Sequence, residues 1–257
     1  MIIDGLHSEA LAIGHGKARL IEGIQLELPS GGLTALVGIN GVGKSTLLRT
    51  LAGLHAPLGG RVLMGQEDVH RMGAKDRARR ISVVLTGRPA TGMLDVKTLV
   101  GLGRQPWTDR WGRMTADDEE AVEKALIRTG ADHLRDRQVT TCSDGECQKV
   151  LVARALAQDT PVMLLDEPTA FLDLPNRADI VRVLRSIAHE EGKAVLFSTH
   201  DLQLALDLCD RIVLMRKDAG IWQGSPQEGM ASGELGRAFS GSGVLFDPLN
   251  GTHRFLP

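Results

Sequence analysis

Short, uninterrupted apolar runs recur at Leu33 to Gly38, Ile81 to Leu85, Val162 to Asp166, Ala194 to Ser198 and Ile212 to Met215. Runs of this length predict short buried strands. Between them the spacing of apolar positions predicts helices over Lys44 to Gly53, Asp117 to Gly130, Gly145 to Ala157, Asn176 to Glu191 and Asp201 to Asp210. Alternating strands and helices imply an α/β fold with a largely parallel, covered sheet. The helix near Asp117 is well punctuated, with Thr115 as cap, acids from Asp117 to Glu120 in the first turn and Gly130 just past the end. From Gly87 to Thr140 no buried strand is legible, while helical stretches and Gly/Pro turns are, which predicts an inserted helical subdomain. The tail after Asp218 is rich in Gly and Ser but keeps Leu235, Phe239, Leu245 and Phe246, so it is expected to fold against the core. The expected organisation is one domain over residues 1–257, with a core at about 1–86 and 160–217, the helical insert at about 87–159 and a C-terminal extension at about 218–257.

Composition narrows the classes. Hydrophobic residues are 42% and charged residues 24%, ordinary globular usage that excludes a disordered, collagen-like or disulfide-stapled chain. Thirty basic against 32 acidic side chains give a net charge of -2, which offers no basic field for nucleic acid or an anionic membrane. Apolar runs such as Val162 to Leu165 fall far short of the roughly 20 residues of a membrane span. The start MIIDGLHSEA carries Asp4 and no basic region ahead of an apolar one, so a chain that stays in the cytoplasm is expected. Cys142, Cys147 and Cys209 form no CxxC pair, which argues against a disulfide framework or a zinc site.

The first chemical motif is Gly38-Ile39-Asn40-Gly41-Val42-Gly43-Lys44-Ser45, which fits GxxxxGK[ST] directly after a strand and before a helix. Its glycines let backbone N–H groups turn inward, and the following helix adds its positive end to the same spot. A triphosphate is the natural guest. Lys44 would neutralise phosphate oxygens, the Ser45 hydroxyl would ligate magnesium, and Asn40, Gly41, Gly43 and Thr46 complete the contact set. The second motif is the apolar strand ending in Asp166-Glu167-Pro168. Proline biases Glu167 away from helix, so the strand tip is expected to be extended, its acids at the carboxyl edge of the sheet where open α/β folds bind ligands. Adjacent strand residues point to opposite faces. Asp166 is therefore assigned to magnesium and Glu167 to the attacking water as general base, with a surface acid pair as the plain alternative.

Any phosphate-loop ATPase or GTPase fits these two motifs. Cys142-Ser143-Asp144-Gly145-Glu146-Cys147-Gln148-Lys149, ahead of the Asp166 strand, resembles the LSGGQ signature of ATP-binding-cassette (ABC) ATPases. The resemblance extends along the chain to Phe171-Leu172-Asp173, in the position of that family's D-loop, and to Ser198-Thr199-His200-Asp201, in the position of its switch histidine. It implies a P-loop NTPase core with a mostly parallel sheet, an inserted helical subdomain and an N-terminal antiparallel β element. Independently of the resemblance, Ser143 should cap a helix opening at Gly145, whose free N–H groups make an anion site. The family's head-to-tail ATP-sandwich dimer then implies that Ser143, Gly145 and Glu146 of one copy close on the γ-phosphate held by the other. In it, His200 bonds that phosphate and Asp173 links the half-sites.

Two departures stand out. The chain has no tyrosine, and His15 falls where the family stacks a ring on adenine; Thr86 stands where the family places a glutamine that touches magnesium. The stretches Leu99-Val100-Gly101-Leu102-Gly103-Arg104-Gln105-Pro106 and Thr169-Ala170-Phe171-Leu172-Asp173-Leu174 resemble the branch that imports iron chelates, haem and cobalamin. That branch implies two copies of this subunit on two integral membrane permease subunits, served by an extracytoplasmic substrate-binding protein. The subunit would lie peripherally on the cytoplasmic face of the plasma (inner) membrane, with residues near Gly87 to Asp95 meeting the permease. The alternative, a soluble cassette acting on nucleic acid or the ribosome, is disfavoured by the net charge and by the lack of a second cassette, coiled-coil arm or basic extension in this sequence. A phosphotransfer kinase is disfavoured by the signature and His200.

Overall fold

The structure, a computed structural model, describes residues 5–87, 92–216 and 220–239, together with the backbone of 244–247 and 252–255. Strands β1 (Leu6–His15) and β2 (Ala18–Leu28) form an antiparallel hairpin whose two-residue turn uses Gly16 at φ +57°. Strand β3 (Leu33–Val37) begins a second sheet and runs into α1 (Lys44–Leu51). Strands β4 (Gly59–Met64) and β5 (Glu67–Asp68) return to the hairpin and complete a four-stranded antiparallel sheet of order β2-β1-β4-β5. After α2 (Ala74–Ala78) and β6 (Ile81–Val84), the chain passes through α3 (Val96–Gly101), α4 (Ala116–Arg128) and α5 (Asp144–Ala157), which pack on one another. It re-enters the sheet as β7 (Val162–Leu165) and continues through α6 (Leu174–Glu191), β8 (Ala194–Ser198), α7 (Leu202–Leu208) and β9 (Arg211–Arg216). Strand β10 (Gly220–Gly224), α8 (Pro226–Ala231), α9 (Glu234–Phe239) and the antiparallel pair β11 (Val244–Asp247) and β12 (Thr252–Phe255) follow.

The larger sheet has the order β10-β9-β3-β8-β7-β6, parallel throughout except for β10 against β9. Its strands are apolar because both faces are covered. In β7, Val162 and Leu164 join a core with the N-terminal hairpin and α1, whereas Met163 and Leu165 join a core with α3 to α6. In β8, Ala194 and Leu196 go to the first core, Val195 and Phe197 to the second. This alternation of faces decides where the residues just past each strand point.

All five expected strands and all five expected helices are present, with ends shifted by a few residues. Helix α5 starts at Asp144 rather than Gly145, because Ser143 is its N-cap; α7 starts at Leu202, because Asp201 caps it. The α4 start is as expected: Thr115 accepts from the Asp118 N–H and Asp118 answers to the Thr115 N–H, a capping box. Leu235 is fully buried and Phe239 packs on the same core; Asp218 and the side chains of Leu245 and Phe246 lie outside the described residues. The three cysteines are buried. Among the described residues no helix is long and apolar enough to cross a membrane.

Candidate active site

The loop between β3 and α1 is held open by its glycines. Gly41 and Gly43 sit at φ +79° and +109°, where any side chain would be strained. Gly43 is the N-cap of α1 and supplies no side-chain cap, so the first N–H groups of the helix are left for a ligand. Asn40 is exposed at the loop's tip. Lys44 is buried, and its Nζ donates to the carbonyls of Gly38 at 2.8 Å and Ile39 at 3.4 Å. Burial pushes its pKa below the ordinary lysine value, and the carboxylates of Glu167 and Asp166 oppose that shift. An ammonium bonded to carbonyls and held near two carboxylates is poised for a polyanion.

Asp166 follows β7 with the parity of Val162 and Leu164, which turns it towards α1. Ser198 ends β8 with the parity of Ala194 and Leu196 and faces the same way. Pairing of Leu165 with Phe197 sets the two side by side. Accordingly, Ser45 Oγ donates to Asp166 Oδ1 at 3.0 Å and Ser198 Oγ donates to the same oxygen at 2.9 Å. The carboxylate is 2% exposed. A hydroxyl and a carboxylate this close, at the mouth of a phosphate loop, are the hard oxygen donors that magnesium takes, so the residues fit the ion.

Glu167 has the opposite parity, and it departs from the extended tip expected before Pro168. Its φ is +48°, in the left-handed region, which costs a residue with a Cβ roughly 1 kcal/mol. Three bonds outweigh the proline bias: Glu167 N–H donates to Ser198 Oγ at 2.8 Å, its carbonyl accepts from Ala170, and Asp166 N–H donates to Val84. The turn carries Glu167 onto the wall of a cavity of about 230 Å³ shared with Gly87, Asp144, Cys147, Gln148 and Phe171. The two adjacent acids thus point different ways, Asp166 towards Ser45 and Glu167 onto that wall, while both still act on the Lys44 ammonium.

The remaining expected site residues fall into three places. His15 Nε2 meets Thr46 Oγ1 at 3.1 Å, and its ring lies edge-on to His55 with centroids 5.6 Å apart. Thr86 Oγ1 donates to the Asp166 carbonyl at 3.0 Å, so its hydroxyl braces the strand tip rather than the carboxylate. His200 is exposed just past β8, and Asp173 is exposed as the N-cap of α6, accepting from Asn176 N–H at 3.2 Å. In the signature, Ser143 and Glu146 form a capping box, with Ser143 N–H donating to Glu146 at 2.8 Å. That bond chiefly holds the Glu146 carboxyl below the usual carboxylate value, and Arg137, at 3.0 Å from it, adds to the effect. A Cβ at Gly145 would meet the Asn176 carboxamide at 3.4 Å, an ordinary van der Waals contact. Sequence reasoning assigned no role to Ser198, Arg137 or His55, whose only sequence signals are a polar residue at a strand end and ordinary surface side chains.

Residues 21–170 match the ABC transporter family. The chain is 37% identical over 254 residues to the ferric enterobactin transport ATP-binding protein FepC of Escherichia coli (strain K12), covering 98% of this chain and 93% of that protein. It is 38% identical over 221 residues to the achromobactin transport ATP-binding protein CbrD of Dickeya dadantii (strain 3937), covering 86% and 82%. Among solved structures, a metal-chelate type ABC transporter in an inward-facing conformation superposes with a TM-score of 0.80 at 27% identity, covering 91% of this chain and 88% of that one. With its phosphate loop, paired acids and capped signature helix in one fold, the chain belongs to the ABC transporter family, as one of its ATPases.

Proposed function

We propose that the chain is the ATP-hydrolysing subunit of an importer for an iron chelate, haem or a cobalamin-like cargo. The observation that carries this reading is the convergence of Ser45 and Ser198 on one carboxylate oxygen of Asp166, with Glu167 as the next residue and the Lys44 ammonium nearby. The cargo class is supported by the siderophore transport proteins that the chain resembles.

In this reading Asn40, Gly41, Gly43 and Thr46 cradle the phosphates, Lys44 neutralises their charge and His15 stacks on adenine. Ser45 and Asp166 would hold magnesium, with Thr86 behind Asp166; the ion supplies charge neutralisation at the phosphate oxygens. Glu167 takes a proton from water attacking the γ-phosphorus in line, and His200 orients that water. Positioning and charge carry most of the barrier reduction, because phosphoryl transfer needs little covalent help. Ser143 and Gly145 from a second copy close the pocket, Glu146 braces their turn through its capping box, and Asp173 joins the halves. Support for a face that meets another copy comes from Phe171 and Leu174, 84% and 68% exposed on either side of Leu172 and Asp173.

Two permease subunits would receive the motion. The groove of about 410 Å³ lined by Leu54, Leu85, Thr86, Gly87, Leu151 and Gln158 fits a short helix from such a partner, and Leu54 and Leu85 are exposed in it. Of the stretch Gly87 to Asp95, expected at that contact, residues 88–91 lie outside the described residues. A substrate-binding protein would act indirectly, on the far side of the membrane. ATP closing the pair and hydrolysis opening it would drive the permease from a peripheral position on the cytoplasmic face.

Glu167→Gln tests the chemistry. It should bind ATP yet lose about 10²- to 10⁴-fold in steady-state kcat; hydrolysis at the parent rate would overturn the general-base assignment.

A further inference from the structure

The D-loop and the switch histidine are joined inside one chain by a residue that neither motif contains. Arg177 lies in the first turn of α6. Its Nε donates to the Leu172 carbonyl at 2.7 Å, and its Nη1 lies 3.6 Å from Asp201 Oδ2. Leu172 is buried and precedes Asp173, while Asp201 directly follows His200. Asp201 is itself fixed at two points: its N–H donates to Thr199 Oγ1 at 3.0 Å, and its Oδ1 accepts from Leu204 N–H at 3.1 Å, capping α7. The backbone just after His200 is therefore fixed by Asp201, whose second carboxylate oxygen faces Arg177.

The two contacts of Arg177 differ in kind. The bond to Leu172 is short and well formed, whereas 3.6 Å to Asp201 is a charge contact beyond hydrogen-bond length. Arg177 and Asp201 side chains are 30% and 18% exposed, so water screens the pair only in part. A shift of the Leu172 carbonyl would carry the guanidinium with it and tighten or open the slack contact.

We infer that Arg177 is a positioning residue that transmits the state of the D-loop to His200 of the same chain. The inference rests on the reading above, in which Asp173 meets a second copy and His200 orients the attacking water. Docking of that copy against Asp173 shifts Leu172, and the Arg177 fork converts the shift into a change at Asp201. Each pocket thus senses whether the dimer has closed, through one short hydrogen bond and one looser charge contact.

The test is a double-mutant cycle on the full chain, read by steady-state ATP hydrolysis as a function of ATP concentration. Arg177→Gln removes the charge; Asp201→Asn removes the other charge but keeps an oxygen suited to capping α7. Each should lower kcat about tenfold and leave KM within about twofold, and the double variant should be no slower than either single one. Parent kcat in Arg177→Gln or in Asp201→Asn, or losses that multiply in the double variant, would overturn the inference. Glu167→Gln, measured in parallel, keeps the two readings apart: if it hydrolyses at the parent rate the site assignment fails, and if it is inactive while Arg177→Gln turns over normally only the coupling fails.

Discussion

At the scale of single residues, His15 is the sharpest departure from the family pattern, and its geometry says what it can contribute. The imidazole is held from below by Thr46 Oγ1 and from the side by the His55 ring, whose Nε2 in turn donates to the Gly14 carbonyl at 2.9 Å. A ring fixed in this way loses little freedom when a base lands on it, but its area is small. Stacking of this kind contributes about 1 kcal/mol, so His15→Ala should raise the Kd for ATP about fivefold while leaving that for inorganic triphosphate unchanged. His15→Tyr should tighten ATP binding. Titration calorimetry with both ligands decides it, and equal affinity of parent and His15→Ala for ATP would remove His15 from the site. Thr46 would connect such a subsite to the phosphate loop, because the side chain that meets His15 lies two residues beyond Lys44.

At the scale of elements, one buried ion pair holds the helical insert together. Arg104, just past α3, donates from Nε to Asp118 Oδ1 at 2.8 Å and from Nη1 to the Ala157 carbonyl at 2.8 Å, so it ties the start of α4 to the end of α5. Both partners are nearly enclosed, with side chains 10% and 5% exposed. Burial pushes the Asp118 carboxyl up, but the Thr115 N–H and the Arg104 guanidinium outweigh it and hold it below its ordinary value. Asp118→Asn strands a buried guanidinium and should destabilise the chain by about 3 kcal/mol in urea unfolding at neutral pH. Because the folded pKa is the lower one, this contribution is complete above the unfolded value of about 3.9 and disappears as pH falls through the folded value. The gap between parent and variant should therefore shrink below about pH 4; a gap that stays constant into that range would refute the assignment. The capping box that opens α4 was legible from Thr115 and its acids, whereas the ion pair was not, since nothing local tells Arg104 that Asp118 lies across a helix junction. The same contrast runs through the molecule. Strands β3, β7 and β8 were legible because burial on both faces leaves a continuous apolar run. Helix α3 is six residues long, shorter than a helical period needs, and β1 carries register shifts near Ala10, at φ +45°, that break its alternation. Lys44, Ser45, Asp166 and Glu167 were legible because phosphate chemistry fixes their local spacing. Ser198 meets Asp166 only once β7 and β8 have paired, Arg177 meets Asp201 only once α6 and α7 have packed, and the left-handed turn at Glu167 follows from Ser198 rather than from Pro168.

At the scale of the whole molecule, the proposed pocket is shared, and a shared pocket has a signature that no single-chain measurement can mimic. In that proposal each composite site would take its phosphate loop from one copy and its capped helix from the other. Ser143 is exposed, so Ser143→Arg can block the receiving helix end at a cost to the fold of about 1 kcal/mol for the lost cap. Lys44→Ala disables the phosphate loop of whichever chain carries it. If both lesions sit on one chain of a mixed pair, one site lacks its loop, the other lacks its lid, and neither remains whole. If the lesions sit on different chains, both fall in the same composite site and the other site is intact. A protein whose pockets are each built within one chain would give the opposite ranking, since a doubly lesioned chain would leave its partner untouched. Mixed pairs isolated through two different tags, in the Glu167→Gln background so that bound ATP is held, should therefore retain about one nucleotide per dimer when the lesions are on separate chains and none when they are on the same chain, because without its lid a site binds ATP too weakly to survive isolation. Nucleotide retained equally in both arrangements would show that Ser143 closes no pocket in the partner, and the sequence of closure and opening proposed for transport would then need another lid.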